Sequence, residues 1–178
     1  MKNSFRLAFC GIIAALCTLM MFLTGLIPVG TYALPAVAGV LLIAVVVEFG
    51  KSWAWPVYIA VSILSLLLAG DKEAAMLFVL FFGYYPILKA AIEKIHNTML
   101  TYLLKFAVFN VAMIIGFFVS IYVLAVPQDS FTIRGIFLPW VFLLIGNVTF
   151  VLYDYALSLL VISYFQRFHP YLKKFQNK

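Results

Sequence analysis

The chain has 178 residues, 66% of them hydrophobic and 10% charged, with a formal net charge of +6. A soluble domain averages about 45–50% apolar and about 25% charged residues, so this chain lacks the polar shell that water demands, and lipid is its solvent. Its 12 basic residues fall near the ends of apolar runs and form no patch, which excludes nucleic-acid binding and reads as a topology signal.

Six apolar segments follow in chain order, at approximately 6–27, 32–49, 53–69, 74–94, 101–125 and 136–165. Each is long enough to cross a hydrocarbon core as a helix. None alternates as the strands of a membrane barrel do, and unbroken apolar runs in lipid satisfy their backbone groups only as helices. The expected fold is therefore all-α: one domain, 1–178, a polytopic bundle of six transmembrane helices.

The first segment begins after Lys2 and Arg6, as a signal peptide would. A signal h-region is roughly 7–15 residues, whereas the run from Leu7 to Ile27 is about 20, so it is read as a retained helix. Ala8, Gly11 and Ala15 line up small side chains along it. Gly11 and Ala15 form a small-xxx-small pair, suited either to internal packing or to an external partner helix. Cys10 and Cys17 share a face about 10 Å apart by helical rise, too far for a disulfide, and are expected as free thiols.

Pro28-Val29-Gly30-Thr31-Tyr32 makes a tight link with Tyr32 at its tip, and Glu48, Gly50 and Lys51 break the second segment from the third. Gly70-Asp71-Lys72-Glu73 is a polar island. Glu73 suits the start of the fourth helix through the dipole; it serves as a cap there, or it rims a ligand mouth. Within the fourth segment, Phe81-Phe82-Gly83-Tyr84-Tyr85-Pro86 holds a Pro that removes a backbone donor. A kink there shapes a cavity with Tyr84 as a ligand candidate, or the aromatics face lipid.

Glu93-Lys94-Ile95-His96-Asn97 breaks the chain again, and Pro127-Gln128-Asp129-Ser130 opens the longest loop. Asn110 and Asn147 lie deep in the last two segments and either form interhelical hydrogen bonds or line a polar cavity. Trp140 stands about two turns outward of Asn147. Asp154 is a functional candidate by default as an ionisable group in a membrane; pairing with Lys89, Lys94 or Lys105 accounts for it structurally.

Sorting the basic residues gives the orientation. With the N-terminus cytoplasmic, Lys2, Arg6, Lys51, Lys89, Lys94, Lys105, Arg167, Lys173, Lys174 and Lys178 lie inside, and Lys72 and Arg134 outside. That bias follows the positive-inside rule and predicts both termini in the cytoplasm. No GxSxG, HExxH, nucleotide loop, paired acidic motif or CxxC occurs. No enzyme activity, catalytic residue, metal or cofactor is therefore expected, and any active transport draws on a partner or a gradient.

Size, six helices, internal termini and the Gly11-Ile12-Ile13-Ala14-Ala15 face resemble the substrate-binding S component of an energy-coupling-factor vitamin transporter, a multi-pass protein of bacterial-type cell membranes. The resemblance implies uptake of a small vitamin-like molecule that enters from outside. It implies that Ala8, Gly11 and Ala15 dock a transmembrane coupling subunit joined to two ATPases, and that the S component topples in the membrane. It implies ligand contacts at Tyr32, Glu73, Trp140 and Asn147; Tyr84 and Asn110 join them as candidates from their own positions. A gradient-driven transporter or channel, and a structural membrane protein without ligand, remain open from the residues alone.

Overall fold

The computed structural model describes residues 2–27, 30–127, 132–133 and 136–167. Pro28, Val29, the loop residues 128–130, Arg134 and the basic tail from 168 onward lie outside the described residues. Helix α1 is Lys2–Leu23, α2 Gly30–Phe49 and α3 Lys51–Leu68. The fourth span comprises α4 (Lys72–Leu77), a π turn (Phe78–Phe82) and α5 (Tyr85–Ile92). Helices α6 (Thr98–Tyr122) and α7 (Pro139–Arg167) complete the bundle. Six spans among the described residues are thus long and apolar enough to cross a membrane, as the sequence predicts.

The spans' bounds shift from expectation by up to four residues, and two of the shifts have a local cause. Tyr32 is not a loop tip: α2 begins at Gly30 and takes Tyr32 into its first turn. The last helix starts at Pro139, not at 136, because β1 (Thr132–Ile133) pairs antiparallel with β2 (Ile136–Phe137) just before it.

The spans run alternately up and down. At one end, here the base, Phe9 on α1 meets Phe49 of α2 edge-on at 5.4 Å, and the Arg6 guanidinium stands 5.9 Å from the Phe49 ring. At the opposite end, the crown, a Cβ placed on Gly25 would lie 2.7 Å from the Gly70 Cα. Only glycine permits that backbone approach. Asp71 organises the crown: its Oδ1 accepts the Glu73 and Ala74 amides at 2.9 and 3.2 Å, capping α4. Its Oδ2 accepts the Thr31 hydroxyl at 2.6 Å, tying α2 to α4. Asn97 caps α6 at the base in the same way, from Met99 and Leu100.

The core of α1–α4 and the π turn is built from Cys17, Met21, Leu42, Val61, Ala74 and Phe78, all fully buried. Both thiols are free, and the Cys17 Sγ donates to the Ala38 carbonyl at 3.3 Å. A second cluster joins Phe81, Tyr85, Phe109 and Phe150 across the π turn, α5, α6 and α7, with Phe109 and Phe150 stacked at 4.7 Å.

The break in the fourth span has a sequence cause. Pro86 has no amide hydrogen, so the Phe82 carbonyl loses its helical donor. The Gly83 amide instead reaches back five residues to the Phe78 carbonyl at 2.8 Å, closing the π turn. Tyr58 on α3 donates its hydroxyl to the Val79 carbonyl at 2.7 Å. Gly39 of α2 sits against the freed carbonyl, where a Cβ would lie 2.3 Å from the Phe82 oxygen. Two helices therefore clamp the bend.

Candidate functional site

Toward the base, four charged side chains form a closed ring. Lys89 and Glu93 are one turn apart on the fourth span, so their side chains share a face; Lys105 comes from α6 and Asp154 from α7. The Lys89 Nζ lies 2.9 Å from the Glu93 Oε1 and also donates to Asp154 Oδ1. The Lys105 Nζ donates to the same Glu93 Oε1 at 2.7 Å and to Asp154 Oδ2 at 2.9 Å. Tyr85 adds its hydroxyl to Asp154 Oδ1 at 2.7 Å, and the Asp154 carbonyl accepts from Lys89 at 3.1 Å.

Charges alternate around the ring and sum to zero, which is the condition for keeping them in a low-dielectric interior. The two lysine side chains are only 4% and 6% exposed and Asp154 15%, whereas Glu93 is 44% exposed. Glu93 lies just beyond the membrane-spanning residues. Burial alone pushes its carboxyl up, but hydrogen bonds from Lys105 and Lys89 outweigh that and hold it below its ordinary value. The expectation that Asp154 pairs with nearby lysines is met by Lys89 and Lys105. Glu93 was read only as part of a break between segments; the i, i+4 spacing to Lys89 was the signal for its role. A proton or ion relay through Asp154 would have to displace the donors on both its oxygens.

Beside the ring lies a cleft of about 230 Å³ between α2, α5 and α7. Each helix contributes buried residues at depth and less buried ones toward the base. On α2 these are Ile43, then Val46 and Val47; on α5 and its C-cap, Pro86 and Lys89, then Ala90 and Glu93; on α7, Leu157, then Val161 and Phe165. That gradient sets the opening at the base.

The expected ligand residues do not gather in one place. Asn110 and Asn147 meet as a reciprocal amide pair, each Nδ2 donating to the other's Oδ1 at 2.9 and 3.0 Å. Each second amide hydrogen goes to the carbonyl one turn back, Phe106 and Leu143, at 2.8 Å. Tyr32 and Glu73 lie within electrostatic reach of each other at the crown, with Tyr32 67% exposed. Tyr84 is half-buried against Tyr58, with ring centroids 6.1 Å apart, and follows Glu73 by roughly 16 Å of helical rise. Trp140 stands at the start of α7, 74% exposed.

Ala8, Gly11 and Ala15 all face outward from the bundle, and a Cβ on Gly11 would meet nothing within 4 Å. Among the described residues no group of three or more His, Cys, Asp or Glu is arranged to hold a metal. No protein-family model, curated protein or solved structure matches the chain. The class defined by the fold is a multi-pass helical membrane protein.

Proposed function

We propose that this chain is the substrate-binding membrane subunit for uptake of a small vitamin-like molecule, lying in a bacterial-type cell membrane with both termini cytoplasmic and working with a separate ATP-driven coupling module. The observation that carries the reading is the outward-turned small-residue face of α1. Internal packing would have covered Ala8, Gly11 and Ala15; instead they are exposed, with open space over Gly11. Such a face lets a partner helix approach backbone to backbone. The resemblance to S components supplies the kind of partner, and the sorting of basic residues supports the orientation. Tyr32, Glu73 and Trp140 toward the crown, with Tyr84, Asn110 and Asn147 deeper, are the ligand contacts of this reading.

Native mass spectrometry of gently purified protein tests it. A co-purifying small molecule is expected, together with capture of a transmembrane coupling subunit. Gly11→Leu is expected to abolish capture while leaving the small molecule bound. A reproducibly empty protein that never captures a coupling subunit overturns the reading. A second reading, a structural membrane protein without ligand, is favoured by the Asn110–Asn147 pair, whose donors are all spent within the bundle.

A further inference from the structure

The cleft at the base is too small for a whole ligand. At about 230 Å³ it falls below the roughly 300–1,000 Å³ of pockets that enclose small molecules. It fits a segment of a larger molecule whose remainder stays outside. Ile43 and Leu157 at depth are apolar and buried, and the rest of the lining is apolar apart from Lys89 and Glu93. Polar character enters from one side only, through Lys89 and Glu93.

These two residues do not face an occupant equally. The Lys89 ammonium is buried and already bonded to Glu93, to the Asp154 carboxylate and to the Asp154 carbonyl. Lys105 is likewise buried between two carboxylates. Glu93 is the exposed member of the ring and stands at the open end. An incoming group therefore meets a carboxylate rim over an apolar channel, with the positive charges sequestered behind it. An amphiphile with a primary-amine head adds a charged donor to Glu93 beyond those of the two lysines, which an anionic phosphate cannot do.

We propose that this cleft is a lipid site that seats an acyl segment of a bilayer phospholipid and holds its primary-amine headgroup at Glu93, selecting phosphatidylethanolamine-type lipid. The site acts independently of vitamin binding and of any coupling subunit.

The test uses the full chain in nanodiscs of equal phosphatidylethanolamine, phosphatidylcholine and phosphatidylglycerol, with retained lipid read by native mass spectrometry. The amine lipid is expected to be retained about tenfold over the other two, on the scale of one charge-assisted hydrogen bond. Glu93→Gln is expected to bring the three lipids level. Ala90→Phe fills the cleft without touching the ring and is expected to remove the retained lipid. Equal or greater retention of phosphatidylglycerol or phosphatidylcholine by the wild type overturns the proposal. So does a persisting amine preference in Glu93→Gln. Should Glu93→Gln fail to fold, Ala90→Phe decides, and undiminished retention there overturns the proposal equally.

Discussion

Replacing Asp154 with Asn leaves the ring with two ammoniums and one carboxylate. Both lysines keep their charged partner Glu93, at 2.9 Å and 2.7 Å, and Lys89 the residue-154 carbonyl at 3.1 Å, but neither keeps a second carboxylate. Both cations stay buried, and the new amide keeps one acceptor oxygen but turns a donor toward the ring in place of the other. Removing one partner of a buried pair costs roughly 3–5 kcal/mol. The half-exposed Glu93 brings some screening, so the lower end of about 3 kcal/mol is expected. The assay is the unfolding free energy in mixed micelles titrated with a denaturing detergent. Adding Lys105→Met to Asp154→Asn removes the surplus charge and should recover at least about 1 kcal/mol, since residues sharing a network are non-additive. A cost under about 1 kcal/mol for Asp154→Asn, the range of solvent-screened pairs, would refute the argument. So would a double variant whose losses simply add.

Two further outcomes follow from the same geometry. In the Asn110–Asn147 pair, either single Ala variant strands an amide, whereas Leu at both positions removes donors and acceptors together. The coupling in a double-mutant cycle should fall between about 0.6 and 1.7 kcal/mol, the mean and maximum for such bonds in membranes, and zero coupling would mean the two amides do not meet. For Glu93, a folded-state carboxyl held below its ordinary value stabilises the protein above that value, near 4.5, and loses the contribution as pH falls through the folded value. The stability difference between wild type and Glu93→Gln should therefore be constant around neutral pH and shrink below about pH 4.5; a difference that grows on acidification would contradict the ring geometry.

Six spans were legible because hydropathy and charge sorting are local properties, and every break carried Gly, Pro or charged residues. The partners of Asp154 were legible because a buried charge requires a counterion, and only a few lysines lay at the right depth. The π turn was legible only in part. Pro86 announces a lost hydrogen bond, but the clamp comes from Tyr58 and Gly39, far away in sequence. Tyr32 was misplaced because Gly30 reads as a breaker, yet here it begins a helix. The cleft has no sequence signature at all, since it arises from how α7 stands relative to α2.

That stance follows from how α7 is held. Lipid chains are as apolar as the helices, so burial against neighbours gives α7 little drive to pack. Most of its length is exposed, and three of its ties share one narrow seam: Asn147 to Asn110, Phe150 stacked on Phe109, and Asp154 to Lys89 and Lys105. Positions 147, 150 and 154 are spaced three and four residues apart, which places them on one helix face. An amide near the middle of the helix and a carboxylate nearer the base cannot exchange partners, so the seam fixes both the rotation and the axial register of α7. The charged and amide ties of the seam run to the fourth span and α6, and none of them runs to α2. Farther toward the base Tyr164 meets Glu48 of α2; because the seam also holds the α7 wall of the cleft, a variant that weakens Asp154 should disturb the cleft together with the ring.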